Sequence, residues 1–188
     1  YSVDFSDDFS LEKFLKQIED ISFDVLINNA GINKIQFLND LEISEYEKIM
    51  KVNTKAPLVL MKQIGNKMKK NGYGRIVNIA SIYGNISKEK WIAYSCSKFA
   101  LKGLTKSISL EMSKYNVLVN SVSPGFTKTE LTKRILSKNE IKVLENKIPI
   151  GRLAEPHEIS NLICFLASDL NSYICGQDFI IDGGYCCG

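Results

Sequence analysis

The chain has 188 residues, of which 45% are hydrophobic and 24% are charged, the composition of an ordinary globular domain. Its formal charge of +3 comes from 24 basic and 21 acidic residues mixed along the sequence, so no single-sign block indicates nucleic acid or an anionic membrane. No apolar run approaches the roughly 18 residues that cross a bilayer, and the five cysteines lack paired metal-ligand spacing. We therefore expect a cytoplasmic domain with reduced thiols, no metal site and no membrane contact.

The first half of the chain alternates helical and strand patterns. After the capping residues Ser6, Asp7 and Asp8, residues 11–18 place apolar side chains at helical spacing. Residues 23–28 are almost continuously apolar and predict a buried strand. The capping box of Ser44 and Glu47 predicts the start of a helix that runs to about residue 70, and residues 75–80 predict a second buried strand.

The second half continues the alternation. A long helix is predicted over residues 91–114, a strand over 117–122, and a short helix from the capping box of Ser137 and Glu140. Residues 155–167 predict another helix, and residues 178–181 a last strand. This order predicts the α/β class, with a doubly wound, Rossmann-like parallel sheet in one domain over residues 1–188.

Two side chains in the long predicted helix suggest proton-transfer chemistry. Tyr94 and Lys98 are four residues apart, so both project from one helix face. A neighbouring ammonium lowers the pKa of a phenol by stabilising its phenolate, which would let Tyr94 exchange a proton with a substrate oxygen. This spacing also arises by chance on an exposed helix face, so it needs support from elsewhere in the chain.

Ser81 supplies that support, because it lies just past the carboxyl end of a predicted strand, where doubly wound folds place ligand groups. Its hydroxyl is suited to bind the substrate oxygen that Tyr94 protonates. Ser81 followed thirteen residues later by Tyr94 and then Lys98 resembles the signature of classical short-chain dehydrogenases/reductases. The resemblance implies an enzyme that transfers hydride between NAD or NADP and a carbonyl or alcohol carbon.

Further motifs follow in the order that this family has. Residues 28–31, Asn-Asn-Ala-Gly, resemble the element that shapes the adenosine side of the cofactor site, and Asn53 stands at the place of the family's catalytic asparagine. Residues 123–129 resemble the Pro-Gly loop that contacts nicotinamide. The resemblance implies a catalytic tetrad of Asn53, Ser81, Tyr94 and Lys98. It implies cofactor contacts from Asp4, Asn28, Ala30, Gly31, Tyr94, Lys98, Pro124, Gly125, Thr127 and Thr129.

One element of the family pattern has no match in these residues. The family's Thr-Gly-x-x-x-Gly-x-Gly loop, whose amides bind the pyrophosphate, is not found, and Asp4 is the earliest position that matches. We therefore expect the sequence to omit an N-terminal phosphate-binding segment, which leaves the choice between NAD and NADP open. His157 replaces the family's usual carboxylate and is expected to be a surface residue, while Trp91 either packs or borders the substrate.

The overall resemblance is greatest to 3-oxoacyl-acyl-carrier-protein reductases, which reduce a β-keto thioester. Their carrier-binding arginines correspond here to Gly72 and Tyr115, near Lys69, Lys70 and Lys114, so a carrier-bound substrate remains one option. A sugar or polyol dehydrogenase of the same family and a non-catalytic relative are the alternatives. The resemblance also implies a homodimer or homotetramer, and an apolar stripe of Ala100, Leu104, Ile108 and Met112 is expected either to form that interface or to face the sheet.

Overall fold

A computed structural model describes residues 1–129, 132 and 137–187. The first half of the chain contains helices α1 (Asp8–Gln17), α2 (Ile43–Met50) and α3 (Ala56–Asn71) and strands β1 (Val25–Asn28) and β2 (Gly74–Ile79). The second half contains helices α4 (Ile92–Met112), α5 (Lys138–Glu145) and α6 (Pro156–Leu166) and strands β3 (Val117–Pro124) and β4 (Asp178–Ile181). Every predicted helix and strand in these residues is present, with bounds that differ by a few residues.

The strands form a parallel sheet in the order β1-β2-β3-β4 within the described residues. Alternate residues of β2 face opposite sides of this sheet. Ile76 packs in a cluster with residues of α3 and α4, while Val77 packs in a second cluster with Ile159 and Leu166 of α6. Helices therefore cover both faces of a Rossmann-like sheet, as the sequence predicts.

The parallel register brings the carboxyl ends of the strands to one edge. Asn28, Asn78 and Ser121 pair in register across β1, β2 and β3, so the segments after these strands emerge side by side. The family motifs at residues 28–31, at Ser81 and at residues 123–129 lie at these strand ends. In open parallel sheets this edge is where ligands bind.

The helix over residues 43–71 differs from the expectation in two ways. The capping box predicted at Ser44 is wrong, because extended backbone ends at Glu42 and α2 begins at Ile43, without a side-chain cap. The helix is also interrupted by a π-helical turn over Lys51–Lys55, in which the Ala56 amide donates to the Lys51 carbonyl five residues back. The capping box at Ser137 and Glu140 is confirmed and begins α5.

The apolar stripe on α4 faces inward for the most part. Leu104 and Ile108 pack against the core cluster on the α3 side of the sheet, and Met112 is a member of that cluster. Phe99 and Leu110 are instead the exposed apolar side chains of α4. Among the described residues, no helix is both long and apolar enough to span a membrane.

Candidate active site

Ser81 lies where β2 leaves the sheet. The strand ends at Ile79, and Ser81 caps the short turn that follows, with its hydroxyl accepting a hydrogen bond from the Tyr83 amide at 3.2 Å. The side chain is buried at the carboxyl edge of the sheet. The structure thus places Ser81 at the position from which ligands are bound in this class of fold.

Tyr94 and Lys98 project from the first two turns of α4 toward the same edge. The Lys98 Nζ lies 5.5 Å from the centre of the Tyr94 ring and donates to the Ile79 carbonyl at 2.7 Å, which joins α4 to the end of β2. Tyr94 and Ser81 line the same cavity wall, and the Ser81 hydroxyl is near enough to the Tyr94 phenol to lower its pKa. The three residues singled out from the sequence therefore converge on one point.

The electrostatics of this group differ from the expectation. Burial raises the pKa of Tyr94, and the nearby Ser81 hydroxyl opposes that rise only in part. Burial also lowers the pKa of Lys98 to about 8, because the ammonium form is poorly solvated inside the protein. The prediction that Lys98 lowers the pKa of Tyr94 is therefore wrong for the cofactor-free protein. Desolvation by burial is the largest influence on the pKa of each side chain.

Asn53 lies in the π-helical turn and connects two parts of the site. Its Oδ1 accepts from the Ile32 amide at 2.8 Å, while its Nδ2 donates to the Ile32 carbonyl at 2.9 Å and to the Ser97 hydroxyl at 3.0 Å. Ser97 precedes Lys98 on α4. Asn53 is fully buried and does not line the cavity, so it fixes the segment after β1 against the helix that carries Lys98.

The π-helical turn was missed from the sequence, although a signal for it exists. Pro57 follows the turn in the first positions of α3 and has no amide hydrogen. In a regular helix that amide would bond the carbonyl of residue 53. A proline four residues after a mid-helix asparagine thus indicates a break in the regular ladder at Asn53.

A cavity of about 470 Å³ opens at this edge of the sheet. Its wall brings together eight of the predicted site residues: Gly31, Ser81, Tyr94, Lys98, Pro124, Gly125, Thr127 and Thr129. Such a volume is in the range of small-molecule sites. The structure therefore assembles most of the predicted site from segments that are up to about a hundred residues apart in sequence.

The loop after β3 forms one wall of the cavity and is held from two sides. The Gly125 amide donates to the Ile181 carbonyl at 2.8 Å, and Thr127 bridges to Ala154. A Cβ atom on Gly125 would lie 2.8 Å from the Cα of Asp182, so only glycine fits between this loop and β4. The glycine at position 125 therefore lets this loop lie close to the backbone of Asp182, the residue after β4.

Three predicted cofactor residues lie outside the main cavity. Asn28 and Ala30 line a smaller cavity of about 60 Å³ at the end of β1, and the side-chain Nδ2 of Asn28 donates to the Asn78 Oδ1 at 2.7 Å. Asp4 lies in neither cavity; its carboxylate accepts hydrogen bonds from the amide and hydroxyl of Ser6, which lower its pKa. His157 is exposed and does not line the main cavity.

An aromatic wall beside Tyr94 was not predicted. The rings of Tyr83 and Trp91 lie 4.4 Å apart between centroids, and Trp91 meets Tyr94 edge-on at 5.5 Å. Phe126 contacts Tyr83 edge-on from the opposite loop, and all four rings line the cavity. Of the two roles considered for Trp91, the structure supports a position that borders the cavity.

Comparison with known proteins agrees with this arrangement. A family model described as enoyl-(acyl carrier protein) reductase matches residues 1–186. A 3-oxoacyl-[acyl-carrier-protein] reductase of Aquifex aeolicus is 36% identical over 177 residues, which cover 93% of this chain and 71% of that protein. The chain belongs to the short-chain dehydrogenase/reductase family.

Solved structures of family members superpose closely on this chain. A putative NAD(P)-dependent gluconate 5-dehydrogenase from Beutenbergia cavernae, with bound NADP, has a TM-score of 0.94 at 31% identity, covering 99% of this chain and 76% of that one. A 4-hydroxyisoleucine dehydrogenase complexed with NADH has a TM-score of 0.95 at 34% identity, covering 100% and 79%. The chain therefore shares the fold of these two proteins over nearly its whole length.

Proposed function

We propose that this chain carries the catalytic groups of an NAD(P)-dependent oxidoreductase that interconverts a carbonyl and an alcohol. The observation that carries the proposal is that Ser81, Tyr94 and Lys98 meet at one cavity wall, with the buried Lys98 amine bonded to the Ile79 carbonyl at the end of β2. The family membership and the relatives named with NADH or NADP support the cofactor class. We propose that residues 1–188 act as one domain in this reaction.

The residues at the cavity suit a nicotinamide nucleoside. An ammonium has three donors, and the hydrogen bond to Ile79 uses one of those on Lys98. A Cβ atom on Gly31 would lie 3.5 Å from the Lys98 Nζ. Because glycine has no Cβ atom, this space beside the amine is open to a ligand. A buried, multiply donating amine beside an open glycine fits the vicinal hydroxyls of a ribose, so the site fits the group that the family uses.

In the mechanism that we propose, bound NAD(P)H supplies the hydride. The Ser81 hydroxyl hydrogen-bonds the substrate oxygen and holds it beside the Tyr94 phenol, which gives that oxygen its proton. Lys98 holds a proton near the phenol and would bind the ribose hydroxyls of the cofactor with its remaining donors. Asn53 keeps the segment after β1 and the Lys98 turn of α4 in a fixed relation through its bonds to Ile32 and Ser97.

We assign the predicted cofactor contacts to two ends of the ligand. The residues that share the main cavity would hold the nicotinamide end: Gly31, Tyr94, Lys98, Pro124, Gly125, Thr127 and Thr129. Asn28 and Ala30, at the small cavity, and Asp4, at its exposed position, would face the adenosine end. This division follows from the separation of the two cavities.

For the substrate we propose a 3-oxoacyl thioester, supported by the similar 3-oxoacyl-[acyl-carrier-protein] reductases and by an apolar lining. Leu144, Ile159 and Ile163 add aliphatic side chains to the aromatic residues that line the cavity, which suits an acyl chain. At the surface positions considered for a carrier protein, the Lys69 and Lys114 ammonium groups lie 4.2 and 5.3 Å from the centre of the Tyr115 ring. They offer positive charge to an acidic carrier, without the paired donors of arginine.

A sugar-acid or polyol substrate is the second candidate. Lys88, Thr127, Thr129 and Ser160 place a cation and three hydroxyls on the same cavity wall. Such groups suit a substrate that bears a carboxylate or several hydroxyls, and one solved relative is named as a gluconate 5-dehydrogenase. An acetoacetyl thioester reduced with NADH or NADPH, compared with gluconate oxidised by NAD or NADP, distinguishes the two candidates by the change in nicotinamide absorbance.

The test of the reaction is the substitution Tyr94→Phe in the complete protein. It keeps the ring and removes the proton, so turnover on the best substrate should fall by about 10²- to 10⁴-fold, as for the loss of general acid catalysis. Tyr173→Phe is the matched control, because Tyr173 is exposed and loses the same hydroxyl. Near-normal turnover in Tyr94→Phe would refute the assignment and favour a non-catalytic relative.

We also propose that the protein acts in the cytoplasm as a homodimer or homotetramer. All five cysteines are free, which suits a reducing compartment. Because the stripe of Leu104, Ile108 and Met112 packs against the core, the subunit contact would use the exposed Phe99 and Leu110 of α4 instead. Apolar side chains of this size on an exposed helix face are typical of association surfaces.

A further inference from the structure

A largely buried ion pair lies outside the cavity wall, one turn beyond Lys98. Lys102 of α4 and Asp178, the first residue of β4, are joined by an Nζ–Oδ2 contact of 3.0 Å, with side chains 16% and 11% exposed. By contrast, the surface pair of Lys128 and Glu155 is more than 40% exposed on both sides. Burying two charges is costly unless each has further partners, and the partners here lead to the active site.

On one side, the pair holds the turn that begins at Ser81. The Lys102 ammonium donates to the Gly84 carbonyl at 3.0 Å and to the Oδ1 of Asn85, whose Nδ2 donates to Asp178 at 3.2 Å. The Gly84 amide in turn donates to the Ser81 carbonyl at 2.8 Å. The far end of the Ser81 turn is therefore fixed by both members of the pair.

On the other side, the pair holds the strand that leads into the Pro124 loop. The Asp178 Oδ1 accepts hydrogen bonds from the hydroxyls of Ser121 and Ser123, each at 2.7 Å. Ser123 is followed directly by Pro124 and Gly125 of the cavity wall. One carboxylate thus connects two segments that line the cavity, the Ser81 turn and the Pro124 loop.

The pair itself does not line the cavity, since neither Lys102 nor Asp178 belongs to its wall. A side chain at position 84 would also lie 3.1 Å from the Lys98 backbone and from the Lys102 Cδ, so the turn is seated directly on α4. The ammonium and the carboxylate neutralise each other. The pair would therefore affect the reaction by holding the two segments in place and not by its charge.

We propose that Lys102 and Asp178 are positioning residues, which fix the Ser81 turn and the Pro124 loop at the separation that the substrate oxygen and nicotinamide require. The proposal rests on the function proposed above for Ser81 and Tyr94. Misplacing a reacting group by about 1 Å can cost on the order of 10²-fold in rate. Loss of the pair should therefore lower kcat much more than it lowers cofactor binding.

The test compares Lys102→Met, Asp178→Asn and the double variant with Lys106→Met, which removes an exposed lysine from the next turn of α4. Activity is expressed per folded, cofactor-binding subunit of the complete protein. Each single variant should lower kcat by about 10- to 100-fold, with a less than about threefold change in the KM for NAD(P)H. The double variant should be no worse than either single one, because the two residues act as a unit.

Two further measurements separate positioning from a loss of stability. Lys102→Arg keeps the charge and should restore part of kcat, and the solvent deuterium isotope effect on kcat should rise in Lys102→Met, as proton transfer from a misplaced donor becomes rate-limiting. Asn85→Ala removes two of the three bonds between the pair and the turn, keeps the ion pair and the Lys102–Gly84 bond, and should lower kcat with a smaller loss of melting temperature. It remains informative if the charge variants do not fold.

The outcomes identify which idea fails. If Tyr94→Phe abolishes turnover while folded Lys102→Met and Asn85→Ala keep the wild-type kcat and isotope effect, the positioning role is wrong and the pair is only structural. If Tyr94→Phe itself keeps turnover, the proposed function is wrong. A uniform loss of melting temperature without a change in kcat per folded subunit also refutes the positioning role.

Discussion

Replacing Lys98 by Met should inactivate the enzyme and at the same time stabilise it at neutral pH. Lys98 is 3% exposed, and burial lowers the pKa of its ammonium from 10.5 to about 8. A shift of that size corresponds to about 3 kcal/mol at 1.36 kcal/mol per unit. The variant also loses the hydrogen bond to the Ile79 carbonyl, which destabilises it by about 1 kcal/mol. The net increase in the free energy of unfolding is therefore about 2 kcal/mol.

The difference in the free energy of unfolding between Lys98→Met and the wild type should depend on pH in one direction only. Between pH 8 and 10.5 the unfolded chain binds the Lys98 proton and the folded protein does not, so wild-type stability rises with pH across that window. Below pH 8 both states are protonated, and the full cost of burying the charge is present. The advantage of Lys98→Met should therefore be greatest at pH 7 and should shrink as the pH approaches 10.

The assay is urea unfolding of the cofactor-free protein at several pH values from 7 to 10, with Lys106→Met as the control. Lys106 is exposed on the same helix, and its replacement removes an amine without a burial cost. A wild-type enzyme that is more stable than Lys98→Met at pH 7, or a difference that grows with pH, would refute the reasoning. Either result would mean that the Lys98 ammonium is well solvated or paired in the folded protein.

Two further predictions concern packing and assembly. Gly125→Ala would place a Cβ atom 2.8 Å from the Asp182 backbone, so it should lower the free energy of unfolding by about 1–3 kcal/mol. An unchanged midpoint of urea unfolding would contradict this, because it would mean that the loop shifts to accept the Cβ atom at no cost. The complete wild-type protein should have a light-scattering mass of two or four subunits at micromolar concentration. The double variant Phe99→Glu with Leu110→Glu should have a lower mass. A single-subunit mass for the wild type would exclude the proposed assembly.

Much of the fold could be predicted from local sequence patterns. Continuous apolar runs identified β1 to β4, and helical spacing identified the helices between them, because burial on both sheet faces or on one helix face imposes these patterns directly. The position of Ser81 after a predicted strand likewise indicated the carboxyl edge of a parallel sheet, and the family resemblance implied that Tyr94 and Lys98 join it there. That edge is determined by topology, so residues far apart in sequence could be assigned to one cavity.

Only the tertiary structure decided the features that depend on several segments at once. The direction of the pKa of Tyr94 is the sum of burial and the effect of the Ser81 hydroxyl, and burial cannot be read from the four-residue spacing of Tyr94 and Lys98. The π-helical turn holds Asn53 against Ile32 and Ser97, segments about 20 and 44 residues away.

The ion pair of Lys102 and Asp178 joins a helix and a strand 76 residues apart, and nothing in either local pattern indicates its partner. A sequence pattern indicates which face of a helix or strand is buried, because each buried position selects an apolar side chain on its own. Charge pairing, desolvation and the separation of two loops depend on which residues meet, and that is determined by the packing of the whole domain.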